Sequence, residues 1–413
     1  MRTGVLDIEQ QVTLLMQGSE YGDASLQQAM AGELRERLLL AQREQRPLRV
    51  YCGYDPTSAD LHLGHTVTMR KLRQFQELGH HVTFLIGDYT ARVGDPSDKD
   101  KLRPQLSEEQ IRANAQTFAE QAFRILDRSR TEVRYNSEWL GSLTLADLIQ
   151  LASNFTVQQF VTRENFRLRW DRGEAIFLHE TFYSILQGYD AFSLRADVQV
   201  GGTDQLFNIV SAARKVMESL GVAPNVAILL GILPGTDGVV RMSKSLGNHI
   251  PLLAAAEDTY GKIMSLPDLA MGPYFRLLSR WSPERIDELE ASLRNGTVHP
   301  RDAKMELARE IVEIYHGRQA VEPAELAFRR VFQENALPEE LAEASYSEGT
   351  KVVDFLAEHN LARSRSEARR LIEQGGVRLD GEAVRDLEAT LSGRGGSVLQ
   401  VGKRKFVRLK ARP

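Results

Sequence analysis

The sequence predicts an α/β fold in which helices cover a parallel sheet, followed by a helical region and a small α+β module. A strand–turn–helix–strand order between residues 48 and 86 is typical of a βαβ unit, and the same order returns between 197 and 233. Residues 252–335 are rich in helix formers, and the chain after 351 mixes helical and hairpin patterns. The strands are predicted at 48–54, 82–86, 197–202 and 226–233, and the intervening helices at 62–78 and 204–219.

Length and composition limit the class of protein. A chain of 413 residues is too long for one core, so two or three domains are expected. The 42% hydrophobic and 26% charged content is that of a folded globular protein, and no apolar run approaches the ~20 residues of a membrane helix. The N-terminus has no apolar signal core, so we expect a cytoplasmic protein. Cys52 is the single cysteine, which excludes an internal disulfide and a cysteine-built metal site.

Charge is distributed unevenly along the chain. Residues 351–413 hold 14 Lys and Arg against 8 Asp and Glu, so the other 350 residues carry the net negative charge. A basic C-terminal module on an acidic body favours a polyanionic partner at that end, although a solvated basic surface would give the same count.

The first candidate motif is YCGYDPTSADLHLGH, residues 51–65, at the junction of a strand and a helix. His62 and His65 are predicted in the first helical turn, with Asp60 as a candidate N-cap. Gly64 between them would let a flat ring approach the backbone, and a helix N-terminus favours phosphate. A capped helix with solvent-facing histidines, or a weak metal site, would also fit this motif alone. The other polar residues of the turn are Asp55 and Thr57.

The second candidate motif is RMSKS, residues 241–245, on a loop after the last strand of the sheet. Lys244 lies between two serines and follows a glycine-containing stretch, so the loop could close over a triphosphate and neutralise charge as pyrophosphate leaves. Exposed Lys/Ser loops without function are also common.

Taken together, the two motifs resemble those of the class I aminoacyl-tRNA synthetases, whose nucleotide-binding fold has a His-x-Gly-His motif early and a Lys-Met-Ser-Lys-Ser loop late. This resemblance implies a Rossmann-like catalytic domain. Residues 183–190 (YSILQGYD) place Tyr183, Gln187 and Asp190 on one helix face. This strip is similar to the one by which tyrosyl-tRNA synthetases hold their amino acid.

The resemblance implies a role for each matching residue. The substrate α-amino group would contact Tyr183, Gln187 and Asp95, the phenolic hydroxyl would contact Asp190 and Tyr51, and Gln205 would lie near the carboxylate. Thr57 and His62 would contact the γ-phosphate end, His65 the ribose or adenine side, and Lys244 with Arg241 would form the closing loop. Further ATP contacts are implied for Cys52, Gly53, Asp55, Gly64, Thr68, Gly202 and Asp204, and Lys99 and Arg103 match a pyrophosphate loop.

The C-terminal residues 351–386 resemble the S-four (S4) type of RNA-binding module, which bacterial tyrosyl-tRNA synthetases have and tryptophanyl enzymes lack. Ser364 and Glu367 form a capping-box pattern at the start of a helix. Arg365, Arg369 and Arg370 on that helix are candidate phosphate contacts.

The resemblance thus implies an enzyme that activates L-tyrosine with ATP and transfers it to tRNA(Tyr), with Mg²⁺ arriving with ATP, no metal held by the protein alone, no membrane association, and a homodimer. The implied domains are a catalytic domain with a dimer-forming insertion (1–236), a loop and anticodon-binding-type helical domain (237–335), a linker (336–350) and the RNA-binding module (351–413). The chain departs from the family pattern at Arg241, Asp98, Leu206 and Phe207, where Lys, Gly and Trp-Gly are usual.

Two other functions are compatible with parts of the sequence. A nucleotidylyltransferase would share the His-x-Gly-His turn but lack the strip at 183–190 and the RNA-binding module. An RNA-binding protein descended from a synthetase could keep the fold without the activity. A tyrosine-dependent pyrophosphate exchange assay separates these possibilities.

Overall fold

The structure is a computed structural model that describes residues 6–57, 60–97, 107–332, 341–402 and 405–412. The chain divides into two compact units, residues 1–321 and 322–413. Within the described residues, no helix combines the length and apolarity needed to cross a bilayer.

A parallel sheet forms the centre of the first unit. Its strand order is β3-β2-β1-β4-β5, so the order reverses between β1 and β4. Every β5 residue is buried, and β2 is buried after its first residue, as expected for a sheet covered on both faces. The strands are β1 (Arg49–Tyr54), β2 (His81–Ile86), β3 (Thr131–Tyr135), β4 (Val198–Gly202) and β5 (Val226–Leu230).

Helices connect these strands and continue after β5. The α-helices of this unit are α1 (Ile8–Met16), α2 (Ala24–Arg43), α3 (Leu63–Glu77), α4 (Thr90–Val93), α5 (Glu108–Ala122), α6 (Ser137–Leu140), α7 (Leu145–Ala152), α8 (Val157–Val161), α9 (Glu164–Asp171), α10 (Leu178–Ser193), α11 (Arg214–Ser219), α12 (Ala256–Met264), α13 (Met271–Leu278), α14 (Pro283–Arg294) and α15 (Pro300–His316). The predicted strand–helix–strand order is confirmed, but residues 204–219 do not form one regular helix. A 3₁₀ turn (Thr203–Gln205) and a π-helix (Phe207–Ala213) precede α11.

The second unit contains α16 (Val321–Phe332), α17 (Val352–Glu358), α18 (Arg365–Glu373) and a mixed sheet of order β6-β10-β9-β7-β8. Its strands are β6 (Ala342–Tyr346), β7 (Val377–Leu379), β8 (Glu382–Ala383), β9 (Val398–Val401) and β10 (Lys405–Ala411). The predicted hairpin is present: Asp380 and Gly381 both have positive φ, as a tight two-residue turn requires. The α+β module is thereby confirmed.

Residues 336–350, predicted as a linker, include the strand β6, which pairs in parallel with β10. Ala344 and Tyr346 alternate into the core while their neighbours face solvent, so this short strand follows a period of two. Because its residues are mostly small or acidic, the alternation of apolar and polar side chains that predicts a strand is not evident in the sequence.

Candidate active site

Two connected cavities lie at the carboxyl edge of the parallel sheet, where the strand order reverses. In such sheets this edge is the usual ligand site. The inner cavity has a volume of about 280 Å³ and is lined by Tyr51 and Asp190. The outer cavity has a volume of about 600 Å³ and is lined by His62 and Lys244. The two cavities share the lining residues Thr57, His65, Thr68, Gly202 and Asp204.

The two histidines of the first motif cap helix α3. His62 is the N-cap residue, and its Nδ1 accepts a hydrogen bond from the Gly64 amide at 3.2 Å. His65 Nδ1 accepts from the His62 amide, also at 3.2 Å. This is a capping box in which imidazoles replace the usual Ser and Glu side chains. The prediction that Asp60 caps this helix is wrong, because His62 already fills that position.

Capping also fixes the chemical form of the two imidazoles. Burial lowers the pKa of His62 to about 3 and that of His65 to about 4, so both rings are neutral at pH 7. Because each Nδ1 accepts a backbone hydrogen bond, the proton of each neutral ring resides on Nε2. The pair therefore offers neutral N–H donors to a ligand and contributes no positive charge.

Gly64 is required by the same arrangement. A Cβ at this position would lie 2.9 Å from Cε1 of His62 and 3.6 Å from Cβ of Met242. The backbone beside Gly64 is tied to the chain after the second motif: Leu63 donates to the carbonyl of Ile250 at 3.0 Å, and Leu252 donates to that of Leu61 at 2.9 Å. The two motifs are thus connected by backbone hydrogen bonds.

Lys244 reaches across the outer cavity to the first motif. Its Nζ lies 2.6 Å from a carboxylate oxygen of Asp60, and both side chains are about 60% exposed. The loop is closed at its base by Asn248, whose side chain accepts from the Ser243 amide and donates to the Arg241 carbonyl. Lys244 is therefore a solvent-accessible cation whose carboxylate partner a phosphate could replace.

Tyr51 and Asp190 line the inner cavity together, as the family resemblance implied. Tyr51 is 1% exposed and Asp190 is 3% exposed. Among the described residues, the Tyr51 hydroxyl and Gln187 Oε1 are buried without a hydrogen-bond partner. Buried polar atoms of this kind are costly, so their position in a cavity indicates a polar ligand there.

Asp190 is held by two residues that the sequence did not single out. Trp139 Nε1 donates to one carboxylate oxygen at 2.7 Å, and Asn136 Nδ2 donates to the other at 3.2 Å. Burial nevertheless raises the pKa of Asp190 to about 8, and these two donors only partly oppose the shift. Asp190 therefore keeps its proton to a higher pH than an exposed aspartate does.

A hydrogen-bonded chain links Asp190 to Asp55 and Tyr183, which also line the inner cavity. Asn136 also donates to the Thr90 hydroxyl, which donates to Asp55 at 2.8 Å. The Tyr183 hydroxyl donates to the other Asp55 oxygen at 3.0 Å. Tyr183 is therefore fixed by Asp55 from across the cavity.

Asp95 and Gln205 form the third side of the inner cavity. Gln205 Nε2 donates to Asp95 at 2.7 Å and to Asp204 at 2.8 Å. Asp55, Asp95 and Asp204 therefore give this side of the cavity three carboxyl groups. A ligand with a positive charge, such as an ammonium group, suits such a wall.

The structure brings most of the predicted residues to these two cavities. The inner cavity is lined by Tyr51, Cys52, Gly53, Asp55, Asp95, Tyr183, Gln187, Asp190 and Gln205, the outer by His62, Gly64, Arg241 and Lys244, and both by Thr57, His65, Thr68, Gly202 and Asp204. Lys99 and Arg103 lie outside the described residues, as does Asp98.

The predicted RNA contacts lie on α18 of the second unit. Ser364 caps this helix, accepting from the Glu367 amide, while Glu367 reaches the Arg363 amide instead of closing the expected box. Arg365, Arg369 and Arg370 are exposed, and Arg365 pairs with Asp354 at 2.8 Å. In the described part of the chain, no group of three or more His, Cys, Asp or Glu side chains is arranged to hold a metal ion.

Comparison with known proteins identifies the family. The family model described as tRNA synthetases class I (W and Y) matches residues 42–333, and the S4 domain model matches residues 350–395. The tyrosine–tRNA ligase of Moorella thermoacetica is 46% identical over 409 residues, which cover 98% of each chain. That of Thermotoga maritima is 46% identical over 374 residues, covering 91% of this chain and 93% of the relative. The chain belongs to the tyrosyl-tRNA synthetase family.

Solved structures of this family share the fold at lower identity. A C-terminally truncated mitochondrial tyrosyl-tRNA synthetase from Aspergillus nidulans matches with a TM-score of 0.61 and 22% identity, over 80% of this chain and 95% of that one. A tyrosyl-tRNA synthetase from Archaeoglobus fulgidus, solved with L-tyrosine, matches with a TM-score of 0.59 and 23% identity, over 76% and 99%. At these identities the likeness supports the class I synthetase fold.

Proposed function

We propose that this protein is a tyrosine–tRNA ligase, which joins L-tyrosine to ATP to give tyrosyl-adenylate and pyrophosphate and then transfers tyrosine to the 3′ end of tRNA(Tyr). The observation that carries the proposal is the inner cavity, where the buried Tyr51 hydroxyl and Asp190 face a space that opens onto the histidine and lysine motifs. A tyrosine whose phenol ring lies in the inner cavity would have its amino and carboxyl groups at the junction with the outer cavity.

Recognition of tyrosine follows from the walls of the inner cavity. The substrate hydroxyl can donate to a carboxyl oxygen of Asp190 and accept from Tyr51, which gives the buried Tyr51 hydroxyl a partner. The ammonium group fits the carboxyl-rich wall with Asp55 and Asp95, and Gln187 Oε1 is a free acceptor beside it. Phenylalanine would leave the buried Tyr51 hydroxyl without a partner and would bring no hydroxyl to Asp190, so it is rejected by desolvation cost.

Activation requires positioning and charge neutralisation. The carboxylate of tyrosine is already ionised at neutral pH, so its attack on the α-phosphate needs no general base. His62 and His65 offer Nε2–H donors to ATP, and Lys244 can exchange Asp60 for the departing phosphates. The helix N-terminus at Leu63 adds its dipole.

ATP would arrive with Mg²⁺ bound to its phosphates, because this ion commonly keeps its waters and relies on substrate phosphates for binding. In the second step the terminal ribose hydroxyl of tRNA attacks the adenylate carbonyl, and the leaving phosphate can accept the hydroxyl proton. Arg365, Arg369 and Arg370 of the C-terminal module would contact the tRNA backbone. Lys99 and Arg103 stay as proposed pyrophosphate contacts.

We include in the proposal a cytoplasmic homodimer with the predicted domain boundaries at 236 and 335, in which the C-terminal module also includes β6. Exposed apolar side chains between residues 145 and 178 support self-association: Leu145, Ile149, Val157, Trp170, Phe177 and Leu178 are 45–73% exposed. Sedimentation analysis of the wild type and of Ile149→Glu with Leu178→Glu tests this part. A wild-type monomer would contradict it.

The function itself is tested by ATP–pyrophosphate exchange with tyrosine, tryptophan and phenylalanine in parallel assays. We expect exchange with tyrosine alone. Exchange with tryptophan, or exchange that depends on no amino acid, would overturn the assignment of the inner cavity. Charging of tRNA(Tyr) then tests the second step.

A further inference from the structure

A buried guanidinium lies behind the inner cavity, outside the residues that the sequence singled out. Arg163, between α8 and α9, is 6% exposed. Its NH1 donates to the Ser184 hydroxyl at 3.0 Å and its NH2 donates to the Ser97 hydroxyl at 2.9 Å. The Cζ atom lies 4.6 Å from the ring centre of Phe207 and 5.2 Å from that of Phe166. The cation is thus held by hydroxyls and aromatic faces.

These hydroxyls close a ring of hydrogen bonds with Asn208. Ser184 donates to Asn208 Oδ1 at 2.7 Å, and Asn208 Nδ2 donates to Ser97 at 3.0 Å. Arg163, Ser184, Asn208 and Ser97 therefore connect four separate parts of the chain: the turn between α8 and α9, α10, the π-helix and the loop after α4. Ser184 and Asn208 are fully buried, so the ring is shielded from water.

The ring continues directly to the inner cavity. Asn208 Nδ2 donates to Gln205 Oε1 at 2.9 Å, and Gln205 in turn donates to Asp95. From the other side, the Ser97 amide donates to Asp95 Oδ1 at 2.9 Å. One Asp95 oxygen is therefore held by Ser97, which bonds Arg163 directly, and the other by Gln205, which connects to Arg163 through Asn208 and the two serines.

A neighbouring side chain also bonds the loop that contains Ser97. Asn165, two residues after Arg163, donates from Nδ2 to the carbonyl of Pro96. Arg163 and the first turn of α9 thus hold both Pro96 and Ser97, the two residues that follow Asp95. Burial lowers the pKa of Arg163, and the negative charge of Asp95 partly opposes this shift.

We propose that Arg163 is a positioning residue for tyrosine activation, which sets Asp95 and Gln205 at the amino-acid end of the inner cavity through Ser97 and Asn208. This inference rests on the proposed function and deepens it, because it adds a residue that touches no substrate. A guanidinium is suited to this task, since its planar fork donates to two partners in fixed directions.

A purely structural role would give a different result from a positioning role. If Arg163 only stabilised the fold, its loss would lower the unfolding midpoint and would change binding of tyrosine and ATP alike. If it positions Asp95, its loss would weaken tyrosine binding alone, since misplacement of one binding group acts on the ligand which that group contacts.

The test is Arg163→Met and Arg163→Lys, measured by ATP–pyrophosphate exchange with both KM values and kcat. We expect Arg163→Met to raise KM for tyrosine about tenfold, with KM for ATP within about twofold of wild type. Arg163→Lys keeps the charge without the fork and should give an intermediate KM for tyrosine. Arg169→Met is the matched control, since Arg169 is buried on the same segment but pairs with Glu180. The control should lower the unfolding midpoint and leave the ratio of the two KM values unchanged.

A double variant identifies the route of the effect. In an Asp95→Asn background, Arg163→Met should raise KM for tyrosine by less than about twofold more, since Arg163 acts through Asp95. Additive effects, equal changes in both KM values, or an unchanged KM for tyrosine would each overturn the proposal. Absence of tyrosine-dependent exchange in the wild type would instead overturn the proposed function, so the two failures are distinguishable.

Discussion

The two ends of the site are built in opposite ways. In the inner cavity, Tyr51 and Asp190 are at most 3% exposed, and Asp190 is fixed by Trp139 and Asn136. In the outer cavity, Lys244 and its partner Asp60 are about 60% exposed on the protein surface. Buried groups that cannot move can reject a wrong ligand strongly, while an exposed ion pair can exchange partners at little cost. Under the proposed function, the inner end provides selectivity for the amino acid and the outer end neutralises the charge of the phosphates.

The largest effect should follow from Asp190→Ala. Removing the acceptor for the phenolic hydroxyl should bring the kcat/KM values for tyrosine and phenylalanine close together in pyrophosphate exchange. Tyrosyl-tRNA synthetases are the established example of this selectivity, with discrimination of about 10⁵. Asp197→Asn is a control, because Asp197 is equally buried but pairs with Arg46 and Arg49 outside the cavity. Intact discrimination in Asp190→Ala would refute the division between the two ends.

At the outer end, Lys244→Met should lower kcat for exchange about 100-fold, a typical loss for one group that stabilises transition-state charge. KM for tyrosine should stay close to the wild-type value, because Lys244 lines only the outer cavity. Lys304→Met removes a cation that pairs with Asp268 away from both cavities, and it should leave kcat unchanged. A large change in KM for tyrosine in Lys244→Met would show that the two ends are not separate.

The pKa of Asp190 predicts a pH dependence of stability. The carboxyl has a pKa of about 8 in the fold and 3.8 as a reference value, so the folded chain binds more protons between these pH values. The free energy of unfolding should therefore fall as pH rises from about 4 to 8, by at most ~1.4 kcal/mol per pH unit. Asp190→Asn mimics the protonated acid and should remove this part of the slope. Urea unfolding of both proteins at pH 5, 7 and 9 measures it; parallel curves would contradict the raised pKa.

The sequence predicted the inner and outer ends unequally well. His62, His65 and Lys244 were found because each belongs to a short motif in a strand–helix context. Tyr51 and Asp190 were assigned by family resemblance, since one lies in a strand and the other on a helix more than 100 residues later. The sheet itself follows from buried runs such as β5, whose five residues are all apolar and all buried.

Residues that support others were missed for a physical reason. Trp139 and Asn136 belong to no motif, and their function depends on α6 packing beside α10, a long-range contact. Asp60 was expected to cap α3 because Asp is a common N-cap, but the N-cap residue is His62. Likewise, the residue pattern after Gln205 predicts a helix but does not distinguish a π-helix from an α-helix. Single residues indicate chemistry, but their hydrogen-bond partners are set by the tertiary fold.

The smallest effect concerns the exposed pair at the outer end. In Asp60→Asn, Lys244 no longer has this carboxylate partner and is free to meet the triphosphate, so KM for ATP should fall. Because an exposed pair contributes about 0.2–1 kcal/mol, the decrease should be at most about fivefold, and it should shrink at high salt. In a Lys244→Met background the same substitution should have no effect on KM for ATP. A rise in KM would mean that Asp60 supports the ATP-bound loop instead of competing with the phosphates, and the outer end would then be preorganised like the inner one.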